Sequence, residues 1–241
     1  MNFMQAVNNA RLLKILSTYG LMDAYEFINR PEFATNLPYH NTKHCLVVAR
    51  WCHDLAVLDP QISNYQMRVL ILAAMFHDFG HTGKRPDSNN IEIACAGFIE
   101  YAKSVPWITE TAKCEHQRIN FRFVEDVTNL IRVTEFPFVR EPQSALECII
   151  RDADLLQSLE PDHCEVILEG LRSELSNMNG TLISVPEMCK AQMKFLSECK
   201  FYNNRAESIF KTALPTVEQS FKDYTANIVA QHEALNMLKD I

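Results

Sequence analysis

An all-α fold is predicted by three features of the chain. Apolar residues recur at helical spacing, as in Phe3, Val7, Ala10, Leu13 and Leu16. Glycine is rare, at 6 among 241 residues, and β-branched runs are short. Prolines stand between the periodic segments, where a helix closes or opens. The first periodic stretch runs from Phe3 to Tyr19 and stops at Gly20. A short helix over Leu21 to Asn29 is closed by Pro31, and Arg30 to Pro38 reads as a loop. Asn41 or Thr42 caps the next helix, which ends near Leu58 before Pro60. Tyr65 to Phe79 is helical and carries the apolar run Val69 to Phe76 inward. Thr82 to Ser88 is a polar loop, and Asn89 to Tyr101 is a helix that Pro106 separates from its successor. Further helices are expected over Glu115 to Thr134, Gln143 to Leu159, Asp162 to Asn177, Pro186 to about Cys199, Asn203 to Ala213, and Pro215 to about Asp240. Thr181 to Val185 has a weak strand pattern, and Asn179-Gly180 is a turn. The expectation is one bundle of about ten helices over residues 1–241. Within it, 1–38 is an N-terminal helical extension, 39–200 bears the motifs, and 201–241 is C-terminal helix.

Composition narrows the function. A net charge of −7 with no basic block disfavours duplex nucleic acid, because phosphate contacts need clustered Lys and Arg. The 8 cysteines are scattered with no C-x-x-C pair, which suggests neither a zinc knuckle nor a disulfide framework. A reducing, cytoplasmic setting is the expectation, with no membrane partner: the longest apolar run is far shorter than the ~20 residues of a membrane helix.

The centre of the chain is the stretch 73–84, Ala-Ala-Met-Phe-His-Asp-Phe-Gly-His-Thr-Gly-Lys. An apolar helix delivers His77 and Asp78 side by side to the interior, then breaks at Gly80. Buried His and Asp are costly unless paired, and a divalent metal takes both as ligands. The dipeptide His53-Asp54 is an internal control. His53 lies nine residues past His44, roughly 180° round one helix, so it faces away from anything His44 binds. It is expected as a surface or second-core histidine. His40 and His44 are four apart, on one face about 40° from each other. His44, His77, Asp78 and Asp154 come from three helices and make a candidate metal set. Asp154 is preferred over Asp152, since helical spacing points one of the two straight inward.

These residues resemble the HD phosphohydrolase superfamily, closest to the class I cyclic-nucleotide phosphodiesterases. Tyr39-His40-Asn41-x-x-His44 resembles that family's Y-H-N-x-x-H, and His77 to Gly83 its H-D-x-D-H-P-G. Asn90 to Ala94 resembles N-S-E-L-A, Val133-Thr134-Glu135 the A-T-D helix end, and Ala153-Asp154-Leu155 the A-D-L of the last metal ligand. Gln192 to Phe195 resembles Q-x-x-F, which holds the nucleobase. The chain departs at Gly80, where the family has its second Asp, and at Gln157, where it has Asn. Glu92, Glu100 and Glu115 are all candidates for the family's second-metal glutamate.

The resemblance implies two divalent ions (Zn, Mg, Mn or Fe) about 3.5–4 Å apart sharing a hydroxide. Asp78 would bridge them, His44, His77 and Asp154 would complete the first, and His81 would order water on the second. His40 is the candidate acid for the leaving oxygen; its plain alternative is an ordinary helix-start histidine. Tyr39, Gln192 and Phe195 are the candidate substrate contacts, and the partner is a small nucleotide. Lys84 and Arg85 line an anion's path or form a solvated pair. Phe195 is base wall or core, and Phe201 and Tyr202 are core. The expected function is a metal-dependent phosphodiesterase acting on a cyclic nucleotide. The alternative is a nucleotide phosphomonoesterase or nucleoside triphosphate phosphohydrolase. A di-iron oxygenase and a non-catalytic nucleotide-binding module are the more distant readings.

Overall fold

The run Val69 to Phe76 is buried along its whole length, so the helix carrying it has neighbours on every side. In the computed structural model, which describes residues 3–109 and 117–239, this helix is α4 (Asn64–Phe76). Ser63 and Gln66 start it with reciprocal capping bonds. The other helices are α1 (Phe3–Tyr19), α2 (Met22–Ile28), α3 (Thr42–Ala56), α5 (Asp87–Ser104), α6 (Pro106–Thr109), α7 (Gln117–Val133) and α8 (Ala145–Leu156). After these come α9 (His163–Glu165), α10 (Arg172–Asn179), α11 (Val185–Glu198) and α12 (Asn204–Lys239). The described residues contain no strand, and the fold is all-α.

α3 packs along α4, α8 lies against both, and α7 closes α4 from the α5 side. One continuous set of buried apolar side chains runs from Leu12 to Phe221. Each fully buried Leu, Ile or Phe in it contributes about 1.5–3 kcal/mol. Among the described residues no helix is long and apolar enough to cross a membrane.

The structure corrects the sequence reading at four places. Thr181 to Val185 is not a strand, because Ser184 already caps α11. The two C-terminal helices are one, since α12 passes through Pro215. Both Pro215 and Lys211, the residue four earlier whose carbonyl the ring would displace, are exposed. α5 begins at Asp87, directly after Pro86, rather than at Asn89. The helix expected over Asp162 to Asn177 contains a π-helical turn, Val166–Leu171, between α9 and α10. Glu115, expected to open the helix now seen from Gln117, lies outside the described residues.

The π turn positions the site. At Gly170 a Cβ would stand 3.1 Å from the Pro38 carbonyl oxygen. The bare glycine therefore lets the loop before α3 lie directly on this helix. One turn later the same helix brings Glu174 beneath Tyr39 and His40.

Candidate metal centre and active site

Asn41 is the cap of α3. Its side chain accepts from the Lys43 and His44 backbone N–H groups and donates to the Leu37 and Pro38 carbonyls. This fixes His44 in the first turn, facing the end of α4. There the chain turns sharply: Phe79 N–H bonds Phe76 O, and His81 N–H bonds Asp78 O. Gly80 has φ +69°, and a Cβ there would meet Ile93 at 2.9 Å. The turn thus has a backbone reason for glycine where the resembled family carries Asp.

Four side chains converge. His44 Nε2 lies 3.1 Å from His77 Nε2, 3.1 Å from Asp78 Oδ2 and 3.2 Å from Asp154 Oδ1. His77 Nε2 is 3.2 Å from Asp78 Oδ2 and 3.9 Å from Asp154 Oδ1. Donors that share a cation at 2.0–2.2 Å stand about 3–3.5 Å apart, so this N₂O₂ set fits a divalent metal. His77 Nδ1 donates to the Ala74 carbonyl at 2.8 Å, which leaves its Nε2 directed at the cluster. Burial disfavours the charged imidazoles, but the carboxylates win. Asp154 and Asp78 raise His44 to about 10, and Asp78 raises His77 as well. Burial opposes ionisation of the two carboxyls too, yet the histidines hold Asp78 and Asp154 below the usual carboxylate range.

Asp152 is elsewhere. Its carboxylate accepts the Tyr202 and Asn203 N–H groups ahead of α12, and burial raises its pKa to about 6. The His53-Asp54 pair belongs to the α1 face, where Asp54 meets Arg11 at 2.5 Å and Arg50 at 3.5 Å. There His53 packs on Tyr19.

Beside the four-residue cluster lies a second group. His40 and His81 rings stack at 4.0 Å. Glu174, which the sequence reading missed, accepts from His40 Nδ1 at 2.6 Å and from the Tyr39 and His40 N–H groups at 2.6 and 3.0 Å. Burial would raise the Glu174 pKa, and these donors lower it. With its oxygens so engaged, Glu174 holds an imidazole rather than offering a ligand. Gly83 N–H donates to His81 Nδ1 at 3.1 Å, so neutral His81 carries its proton on Nε2, facing Asp87 at 3.6 Å. Asn90 organises this loop, accepting from Thr82 and donating to Lys84 O and Asp87. Tyr39 packs on His44 and donates its hydroxyl to Gln157 at 2.7 Å. A cavity of about 340 Å³ adjoins Tyr39, His44, Gln157 and Gly170.

The remaining candidates are more distant. Gln192 is buried on α11, with no hydrogen-bond partner for its amide among the described residues. Phe195 is half-exposed, and its ring meets Phe136 at 6.2 Å. The structure gives neither residue a contact with the metal-type cluster. Lys84 and Arg85 are exposed, and Arg85 turns to Met178. Glu92 pairs with Arg132 on the surface and Glu100 is exposed, so neither serves the cluster. Glu174 and Asp87 carried no sequence signal: one lies 134 residues from His40, and the other opens α5 where the sequence reads as a polar loop.

No family model matches the chain, and no curated protein matches its sequence.

Proposed function

We propose that the chain is a metal-dependent phosphohydrolase of HD type, most simply a phosphodiesterase that opens a cyclic nucleotide. One observation carries this reading. Two imidazoles and two carboxylates from α3, the end of α4 and α8 meet at ligand-to-ligand distances, and among the described residues no Lys or Arg pairs with these acids. His44, His77, Asp78 and Asp154 would hold the first ion, and Asp78, with two oxygens, would reach a second. Bound there, divalent ions would supply hydroxide at neutral pH and neutralise charge on the phosphoryl oxygens.

The chain's own residues do the rest. Glu174 holds His40 through Nδ1, which turns Nε2 outward as the nitrogen that gives a proton to the leaving oxygen. His81 stacks beneath His40 and presents Nε2–H. The Tyr39 ring, held by Gln157, covers His44 from solvent. Gln192, in the segment that resembles Q-x-x-F, would offer a nucleobase the donor and acceptor of its amide. Purified protein should contain a divalent metal and release product from a panel of cyclic and linear nucleotides. Phosphate release from nucleoside mono- or triphosphates, with cyclic nucleotides untouched, would move the assignment to the phosphomonoesterase or triphosphohydrolase alternative.

A further inference from the structure

Asp87 opens α5 and holds two separate structures at once. One carboxylate oxygen accepts from Asn90 Nδ2 at 3.1 Å and faces His81 Nε2 at 3.6 Å. The other accepts the Phe136 backbone N–H at 2.8 Å, from just beyond the end of α7. The first oxygen belongs to the hydrolytic end, because His81 is stacked on His40. The second leads to a group of solvent-facing aromatic rings. Phe136 lies 5.5 Å from Phe138 and 6.2 Å from Phe195, and the three are 54%, 39% and 38% exposed.

These three partly exposed phenyl rings form an apolar patch suited to a flat ring, and Asp87 ties it to the His81 side. The segment bearing two of them is held at two points. Buried Arg151 donates to Val133 O at 2.9 Å and lies 4.0 Å over the Phe138 ring. Asp87 fixes Phe136 N–H. A carboxylate bond to a backbone N–H is charge-assisted and directional, so it sets the wall's position against His81.

We propose that Asp87 is a positioning residue for specificity, holding Phe136 so that it and Phe195 form a wall for the substrate's planar base while His81 and His40 address the phosphoryl group. This rests on the phosphodiesterase reading above and adds to it the residue that keeps the two ends in register.

The test compares wild type, Asp87→Ala, Asp87→Asn and Phe136→Ala on a cyclic nucleotide and on the base-free ester bis(4-nitrophenyl) phosphate. Hydrogen exchange is followed in a peptide covering Phe136, with thermal melts alongside. Asp87→Ala should speed exchange at Phe136 and raise KM about tenfold for the nucleotide, the worth of one lost charge-assisted bond. The base-free ester should lose kcat through the His81 contact while its KM stays within about twofold. Phe136→Ala should show the same split, and Asp87→Asn, which keeps an acceptor for Phe136 N–H, a smaller one. Equal KM rises on both esters, or unchanged exchange at Phe136 in Asp87→Ala, would overturn the inference. So would a wild type that cleaves the base-free ester and no nucleotide. A wild type inactive on both defeats the hydrolase reading and this inference with it. If Asp87→Ala does not fold, Asp87→Asn and Phe136→Ala decide the matter by the same KM split.

Discussion

The chain contains the dipeptide His-Asp twice, and its two settings differ in the sign of what surrounds them. Asp54 is met by Arg11 and Arg50, and Arg50 also reaches Glu160, which Trp51 and Asn8 approach as well. Every charge there has an opposite partner, and the network ties α1 and α3 to the turn after α8. Asp78 is met by His44 and His77, with the Asp154 carboxylate close by. Two acids and two imidazoles converge there, with no guanidinium or ammonium group paired to them among the described residues. A buried carboxylate with a guanidinium beside it has its charge met by the fold, whereas one among imidazole nitrogens and a second carboxylate has the neighbours that a metal ligand would have.

The largest effect should come from breaking the second setting. Asp154→Ala is expected to lower turnover by more than about 10³-fold, since loss of the ion removes both nucleophile and charge neutralisation. Full activity in that variant would exclude Asp154 from the site. Next comes His40→Asn, expected to keep the fold and slow turnover about 10²–10⁴-fold. The defect should shrink on a nitrophenyl ester, whose leaving group needs no proton; an equal loss on both substrates would remove His40 from the acid role.

Glu174→Gln should cost less, about 10–150-fold, for one hydrogen bond to a charged group worth about 1.5–3 kcal/mol. It also has a pH signature. The folded pKa of Glu174 is lowered from 4.5, so its stabilisation is complete above about pH 5 and is lost as pH falls through the folded value. The difference in unfolding free energy between wild type and Glu174→Gln should therefore be constant at neutral pH and shrink in acid. A difference that grows in acid would mean the carboxyl is protonated in the fold.

The smallest catalytic effect belongs to the first setting. Asp54→Ala should lower stability by about 1–3 kcal/mol, because Arg11 and Arg50 lose an acceptor while Arg50 keeps Glu160. Its turnover per folded molecule should match wild type, and His53→Ala should stay within about twofold in rate. Collapse of activity with the fold intact by circular dichroism would place His53 in the site.

Much of this contrast was legible in the sequence. Helical phase from His44 turns His53 away, and Asn41 marks the start of α3. The features that escaped were non-local. Glu174 reaches His40 because a π turn and Gly170 bring its helix against the loop at Pro38, and no periodicity announces that. Asp87 matters through Phe136, 49 residues away. Pro215 reads as a break because proline usually stops a helix, whereas here it lies on an exposed part of one long helix.

On the function proposed above, the His77-Asp78 setting binds a divalent metal and the His53-Asp54 setting does not. Metal content per chain, measured by mass spectrometry on wild type, Asp54→Ala and Asp78→Ala after identical purification, tests it most directly. The account predicts bound divalent metal in wild type and in folded Asp54→Ala, and little or none in Asp78→Ala. A metal-free wild type, or an Asp78→Ala that retains wild-type metal content, would contradict it.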